Sequence, residues 1–137
     1  MTYCVGMMLD HGLVLMSDTR TNSGVDNFSV FRKMFHWTVP GQRIVTVMTA
    51  GNLATTQAVI SRLEERNKAP SDRHNSLLEA PTMFQVASIV GELLRDTISS
   101  RSSNNGQSAA GAFGASMIVA GQIAGMEPRL FLIYPEG

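Results

Sequence analysis

The chain has 137 residues, 44% hydrophobic and 16% charged, and its eleven basic and eleven acidic side chains cancel to zero formal net charge. That length holds one domain with a real core and is too short for two, and the cancelled charge gives no electrostatic reason to expect nucleic acid or an anionic membrane as partner. No stretch approaches the ~18 apolar residues needed to span a bilayer. A lone cysteine, Cys4, excludes an internal disulfide, and the start has neither a basic region nor a long apolar run. The expected compartment is therefore reducing and cytoplasmic.

Tyr3 to Leu9 and Leu13 to Ser17 are short apolar runs, and Asp10-His11-Gly12 between them is turn chemistry. The pattern predicts a β-hairpin. Partners across a hairpin have residue numbers of nearly constant sum, and a turn near His11 sets that sum at roughly 21 to 23. Thr2 then falls opposite about residues 19 to 21, so spacing alone brings Asp18 to the chain terminus.

Thr21 to Asn27 is polar and turn-forming, and Phe28 to Arg32 leads into a strand from Lys33 to Val39. Pro40-Gly41-Gln42 makes a tight turn before the β-branched run Ile44 to Met48, giving a second hairpin. After Thr49-Ala50-Gly51 the apolar period changes from two to about 3.6, with Leu53, Thr56, Ile60 and Leu63 on one face of a helix capped by Asn52. Asn67 to Pro81 is a connector. Thr82-Met83-Phe84-Gln85 has capping-box spacing, and Met83, Val86, Val90, Leu93, Leu94 and Thr97 stripe a second helix reaching Ser100. A loop is expected from Arg101 to Gln107, then strands from Ala115 to Ala120 and from Arg129 to Tyr134. Two adjacent amphipathic helices cover one face of a sheet, and nothing further in the chain remains to cover another.

Thr2 alone is an ordinary second residue, since small residues there permit removal of Met1. With Met1 gone, it carries a hydroxyl and a free amine on one residue, a nucleophile with a base attached. The amine, with a reference pKa near ~8, is held neutral by a nearby cation, for which Lys33 is the candidate. A buried lysine needs an anion, and Asp18 is at hand. Arg20 can add positive charge on the same face. Gly51, at the entry to a helix, is placed to offer a backbone N–H to a developing oxyanion. His11, His36 and His74 have no metal-like spacing, so no metal or cofactor is expected.

Thr2-Tyr3-Cys4-Val5-Gly6, the segment Ser17 to Asn27, Phe31-Arg32-Lys33 and Thr49-Ala50-Gly51 together resemble a proteasome β-type N-terminal nucleophile hydrolase. Within that superfamily they are most similar to Anbu, the bacterial ancestral β-subunit family. The resemblance implies an α+β fold, a four-layer αββα sandwich, present here only in its first part because family members run on through two further helices. One N-terminal nucleophile domain, truncated at its C-terminus, is thus expected over residues 1–137. The resemblance further implies Thr2 as nucleophile, Asp18 and Lys33 as its supporting pair, the Gly51 N–H facing the oxyanion, and Asn22 where substrate backbone pairs as an added strand. Tyr3 and Cys4 depart from the run of threonines common in proteasome subunits.

The functional expectation is a threonine-type peptidase acting on peptide substrate within a ring or helical homo-oligomer, without nucleic acid or membrane as partner. A small-amide hydrolase of the same fold and a non-catalytic assembly subunit with a blocked terminus are the alternatives.

Overall fold

The computed structural model describes residues 1–22, 27–68, 75–103 and 109–137. In chain order the elements are β1 (Cys4–Leu9), β2 (Gly12–Ser17), β3 (Arg20–Asn22), β4 (Phe28–Val30), β5 (Met34–Val39), β6 (Arg43–Gly51), α1 (Leu53–Lys68), α2 (Met83–Ser103), the single turn α3 (Ala109–Ala112), β7 (Ala115–Ile123) and β8 (Arg129–Ile133).

Strands β5, β6, β7 and β8 form an antiparallel sheet in that order. Side chains alternate across a strand, so each strand feeds two layers. Val45 and Val47 of β6, Met117 and Val119 of β7, and Ile133 of β8 face one way and are buried with Val59 and Leu63 of α1 and Val86, Val90 and Leu94 of α2. Burying each such side chain stabilises the fold by about 1.5–3 kcal/mol, so this layer is the principal core. The opposite side presents Met48, paired with Ile118, and Leu130, paired with Ala120. Against it lies the β1–β2 hairpin. A Cβ on Gly6 would fall 2.9 Å from Leu130 Cδ1 and 3.5 Å from Ile118 Cγ2, so the layers approach closely enough that a larger residue there would have to displace the Leu130 side chain. The order is helices, sheet, then the beginning of a second sheet; a second helical layer is absent among the described residues.

Both helix starts use the predicted caps. Asn52 Oδ1 accepts the Thr55 N–H at 3.0 Å, and Thr82 Oγ1 accepts the Gln85 N–H at 3.2 Å. Leu53, expected on the buried face of α1, is instead exposed, while Thr55 and Val59 are buried. Thr55 tolerates burial because its hydroxyl donates to the Phe113 carbonyl at 3.0 Å. Helix α2 runs past the expected end to Ser103, so the loop expected from Arg101 begins as helix. Arg101 Nη2 reaches the Ala54 carbonyl at 3.3 Å, tying the end of α2 to the start of α1. Residues 104–107 of that expected loop lie outside the described residues, as does His74.

Two strands also outrun their expected limits. β6 and β7 pair from Arg43↔Ile123 to Gly51↔Ala115, so Thr49-Ala50-Gly51 is the end of a strand and not a separate turn. The β3–β4 hairpin, with Arg20↔Val30 and Asn22↔Phe28, was not anticipated. The connector between the helices is pinned at its end by Arg43, whose Nη1 donates to the carbonyls of Leu77 at 3.0 Å and Ala80 at 2.7 Å.

Candidate active site

The first hairpin sets the geometry. Every β1–β2 pair has residue numbers that add to 21, from Leu9↔Gly12 to Cys4↔Ser17, at the lower end of the predicted range. The ladder continues one step further, where the Asp18 N–H donates to the Tyr3 carbonyl at 3.0 Å. By alternation, Thr2 shares the face of Cys4 and Gly6, which looks toward the four-stranded sheet.

Asp18 is fixed by its neighbours before it meets any cation. Its Oδ1 accepts the Tyr3 N–H at 2.9 Å and its Oδ2 accepts the Arg20 N–H at 3.2 Å. Lys33 comes from the other sheet, where its carbonyl accepts the Thr49 N–H at 2.8 Å at the entry to β5. Its Nζ donates to Asp18 Oδ1 at 2.9 Å and Oδ2 at 2.8 Å, to the Arg20 carbonyl, and to the Met1 carbonyl at 3.4 Å. The last of these is the oxygen of the Met1–Thr2 peptide bond. An ammonium has three hydrogens, and here they spread over one carboxylate fork and two carbonyls. The cation thus ties both sheets to the chain terminus.

The Lys33 hydrogen bond, aided by the Tyr3 N–H, lowers the Asp18 carboxyl to about 2. Burial, reinforced by the Asp18 charge and opposed by Lys33, raises the Cys4 thiol above its ordinary value. Cys4 is therefore held as a thiol, with its sulfur 3.8 Å from the Thr49 carbonyl, and is poorly suited to be the nucleophile.

Gly51 closes β6 with φ +108°, a region that side chains other than glycine rarely adopt, and a Cβ there would lie 2.6 Å from the Gly114 carbonyl oxygen. The next residue caps α1, so Gly51 sits between a strand end and a helix N-terminus as expected. One cleft of about 140 Å³ is lined by Thr2, Arg20, Asn22, Lys33 and Gly51 together. Asp18 joins them through Lys33. The sequence reading missed Arg32, Thr49 and Leu53 on its walls. Arg32 carries a signal in being next to Lys33, whereas the helical spacing of Leu53 points to the core. Among the described residues no three His, Cys, Asp or Glu side chains are grouped so as to hold a metal ion.

A helix pair on one sheet, and a chain terminus tied by Lys33 to the start of that sheet and to the hairpin packed on it, make this the N-terminal nucleophile fold in its proteasome-like form. The family model described as proteasome subunit matches residues 2–137, and the chain belongs to that family. Its structural likeness is to Anbu. The helical assembly of the Anbu complex from Pseudomonas aeruginosa is 41% identical with a TM-score of 0.86, over 99% of this chain and 54% of that one. Anbu, the ancestral beta-subunit, from Yersinia bercovieri is 39% identical with a TM-score of 0.85, over 99% and 53%. Anbu from Hyphomicrobium sp. strain MC1 is 39% identical with a TM-score of 0.83, over 99% and 54%. The chain therefore spans about half the length of these relatives. Comparison with curated protein sequences found no match.

Proposed function

We propose that this protein is a threonine-type peptidase in which Thr2, freed by loss of Met1, is the nucleophile. The observation that carries the reading is the Lys33 ammonium, bonded at once to both Asp18 oxygens and to the carbonyl that precedes Thr2. When Met1 leaves, that ammonium stands beside the new α-amine and disfavours its protonation. The neutral amine takes the hydroxyl proton as Thr2 Oγ attacks the substrate carbonyl, and the Gly51 N–H receives the oxyanion. The amine then returns the proton to the leaving nitrogen, and water clears the acyl-enzyme.

Asn22 ends β3, whose only partner among the described residues is β4. With the backbone of Arg20 engaged by Asp18 and Lys33, the edge of β3 at Asn22, beside the cleft, is where an extended peptide adds as a strand, favouring peptide over small-amide substrate. Pseudomonas aeruginosa Anbu forms a helical assembly, and by analogy copies of this chain assemble with one another in the cytoplasm.

Intact mass and turnover of the full-length protein test the reading. Loss of Met1 is expected, with hydrolysis of peptide amides that falls at least about a thousandfold in Thr2→Ala. Retained Met1 would indicate a blocked assembly subunit. Turnover of small amides alone would point to the other hydrolase class, and equal rates in wild type and Thr2→Ala would remove Thr2 from the mechanism.

A further inference from the structure

The charges on the cleft wall do not balance, although those of the whole chain do. Arg20, Arg32 and Lys33 line the cleft, and among the described residues no Asp or Glu does. Asp18, behind the wall, is committed to Lys33 through both of its oxygens. Arg20 and Arg32 are exposed, and neither is in a salt bridge among the described residues. Arg20 and Arg32 thus share the cleft with Thr2 and Gly51, and among the described residues no carboxylate lines it with them.

From this imbalance we infer that the cleft selects a substrate with a carboxylate beside the scissile amide. A guanidinium recognises a carboxylate through paired N–H donors, and within a walled cleft the attraction is stronger than on an open surface. A neighbouring groove shares Arg32, Thr49 and Leu53 with the cleft and continues over Phe31 and Phe35 to Glu64. Glu64 follows Leu53 by eleven residues on α1, which puts it about 16 Å farther along the helix axis. The positive group therefore stands at the reacting end and the negative one is remote. A substrate side chain that is short and acidic meets Arg20 and Arg32; a long basic one must pass them to reach Glu64.

The inference names the substrate class for the proposed hydrolysis, but its binding component is separately testable. In full-length Thr2→Ala, which keeps the cleft and lacks the nucleophile, fluorescent peptides with both ends capped are compared by anisotropy. They differ only in Glu, Gln or Lys at the residue whose carbonyl faces Thr2. Glu is expected to bind about five- to tenfold more tightly than Gln at low salt, with the ratio moving toward one at about 1 M salt. A Gln peptide with a free C-terminal carboxylate tests whether a chain end satisfies the arginines in place of a side chain.

Arg32→Gln and Arg20→Gln should each lower the Glu-to-Gln ratio, and Arg32→Lys, which keeps the charge but not the paired donors, should retain part of it. The Arg20 substitution leaves its backbone carbonyl available to Lys33. Equal binding of Glu and Gln, or preference for Lys, in folded protein would overturn the inference. If wild type then still hydrolyses neutral peptides through Thr2, the threonine reading survives that failure. If Glu is preferred but wild type hydrolyses nothing, the cleft is an acidic-peptide site and the hydrolase reading falls.

Discussion

A buried ammonium is tolerated only with a counter-charge, and Lys33, with 7% of its side chain exposed, has one in Asp18, whose own side chain is 31% exposed. The folded pKa of Asp18, about 2, lies below the ordinary 3.8, so folding favours its ionised form. The stabilisation from this pair is present above pH 3.8 and fades as pH falls toward about 2. Asp18→Asn lacks it at every pH. Thermal unfolding temperatures of wild type and Asp18→Asn should differ at neutral pH and converge across that acidic window. A gap that stays constant from neutral pH to pH 2 would show that the ion pair is not its source. Peptide turnover in the same variant should fall by at least about a hundredfold, because Lys33 would lose the partner that fixes it beside Thr2. The approach of Asp18 to the terminus was legible in the sequence, since a hairpin's register is local arithmetic. The contact with Lys33 was only inferred from chemistry, because it depends on how two separate sheets pack.

At the scale of elements, the junction from β6 into α1 positions the cleft's far wall. Asn52 serves it three ways: Oδ1 caps Thr55, the backbone N–H donates to Gly114 at 2.9 Å, and Nδ2 donates to Ala112 at 3.1 Å. Asn52→Ala keeps only the backbone bond and should cost about 1–2 kcal/mol, read from chemical denaturation. Gly51→Ala should cost more, about 2–4 kcal/mol, since both its positive φ and the nearby Gly114 carbonyl oppose a Cβ. If Gly51→Ala proved the milder of the two, the strand end would have to be less constrained than its geometry indicates. The caps and the glycine were legible because each is a local signal with a definite residue type. β3 and β4 were not, because strands of three residues are too short to establish alternation. The side of α1 facing the sheet was misjudged at Leu53, where apolar spacing fits both a core position and a cleft wall.

Across the whole molecule, the two faces of the β1–β2 hairpin have unequal surroundings. Cys4 and Gly6 face the four-stranded sheet, whereas Met7, paired with Val14, and Met16, paired with Val5, lie on the outward face. Met7, Val14 and Met16 are 47%, 43% and 59% exposed, and Leu9 on the same face is 54% exposed. An exposed apolar face of this kind is characteristic of surfaces that pack against a further layer or a partner. The sequence foretold it as a missing layer, because the two amphipathic helices were already committed to one side of one sheet. Relatives about twice as long have further chain with which to cover such a face. Residues 1–137 prepared alone should therefore bind a hydrophobic dye and self-associate, and a chain extended to the length of those relatives should bind much less. Met7→Gln combined with Met16→Gln should cut dye binding by the 137-residue chain without unfolding it, because substitutions at half-exposed positions shift stability by only about 0.5 kcal/mol each. In a chain extended to the relatives' length the same pair should instead be destabilising, by roughly 1–3 kcal/mol, since each methionine would there be buried. Equal tolerance in both lengths would mean that this face stays open, and that the second layer must attach to the sandwich somewhere else.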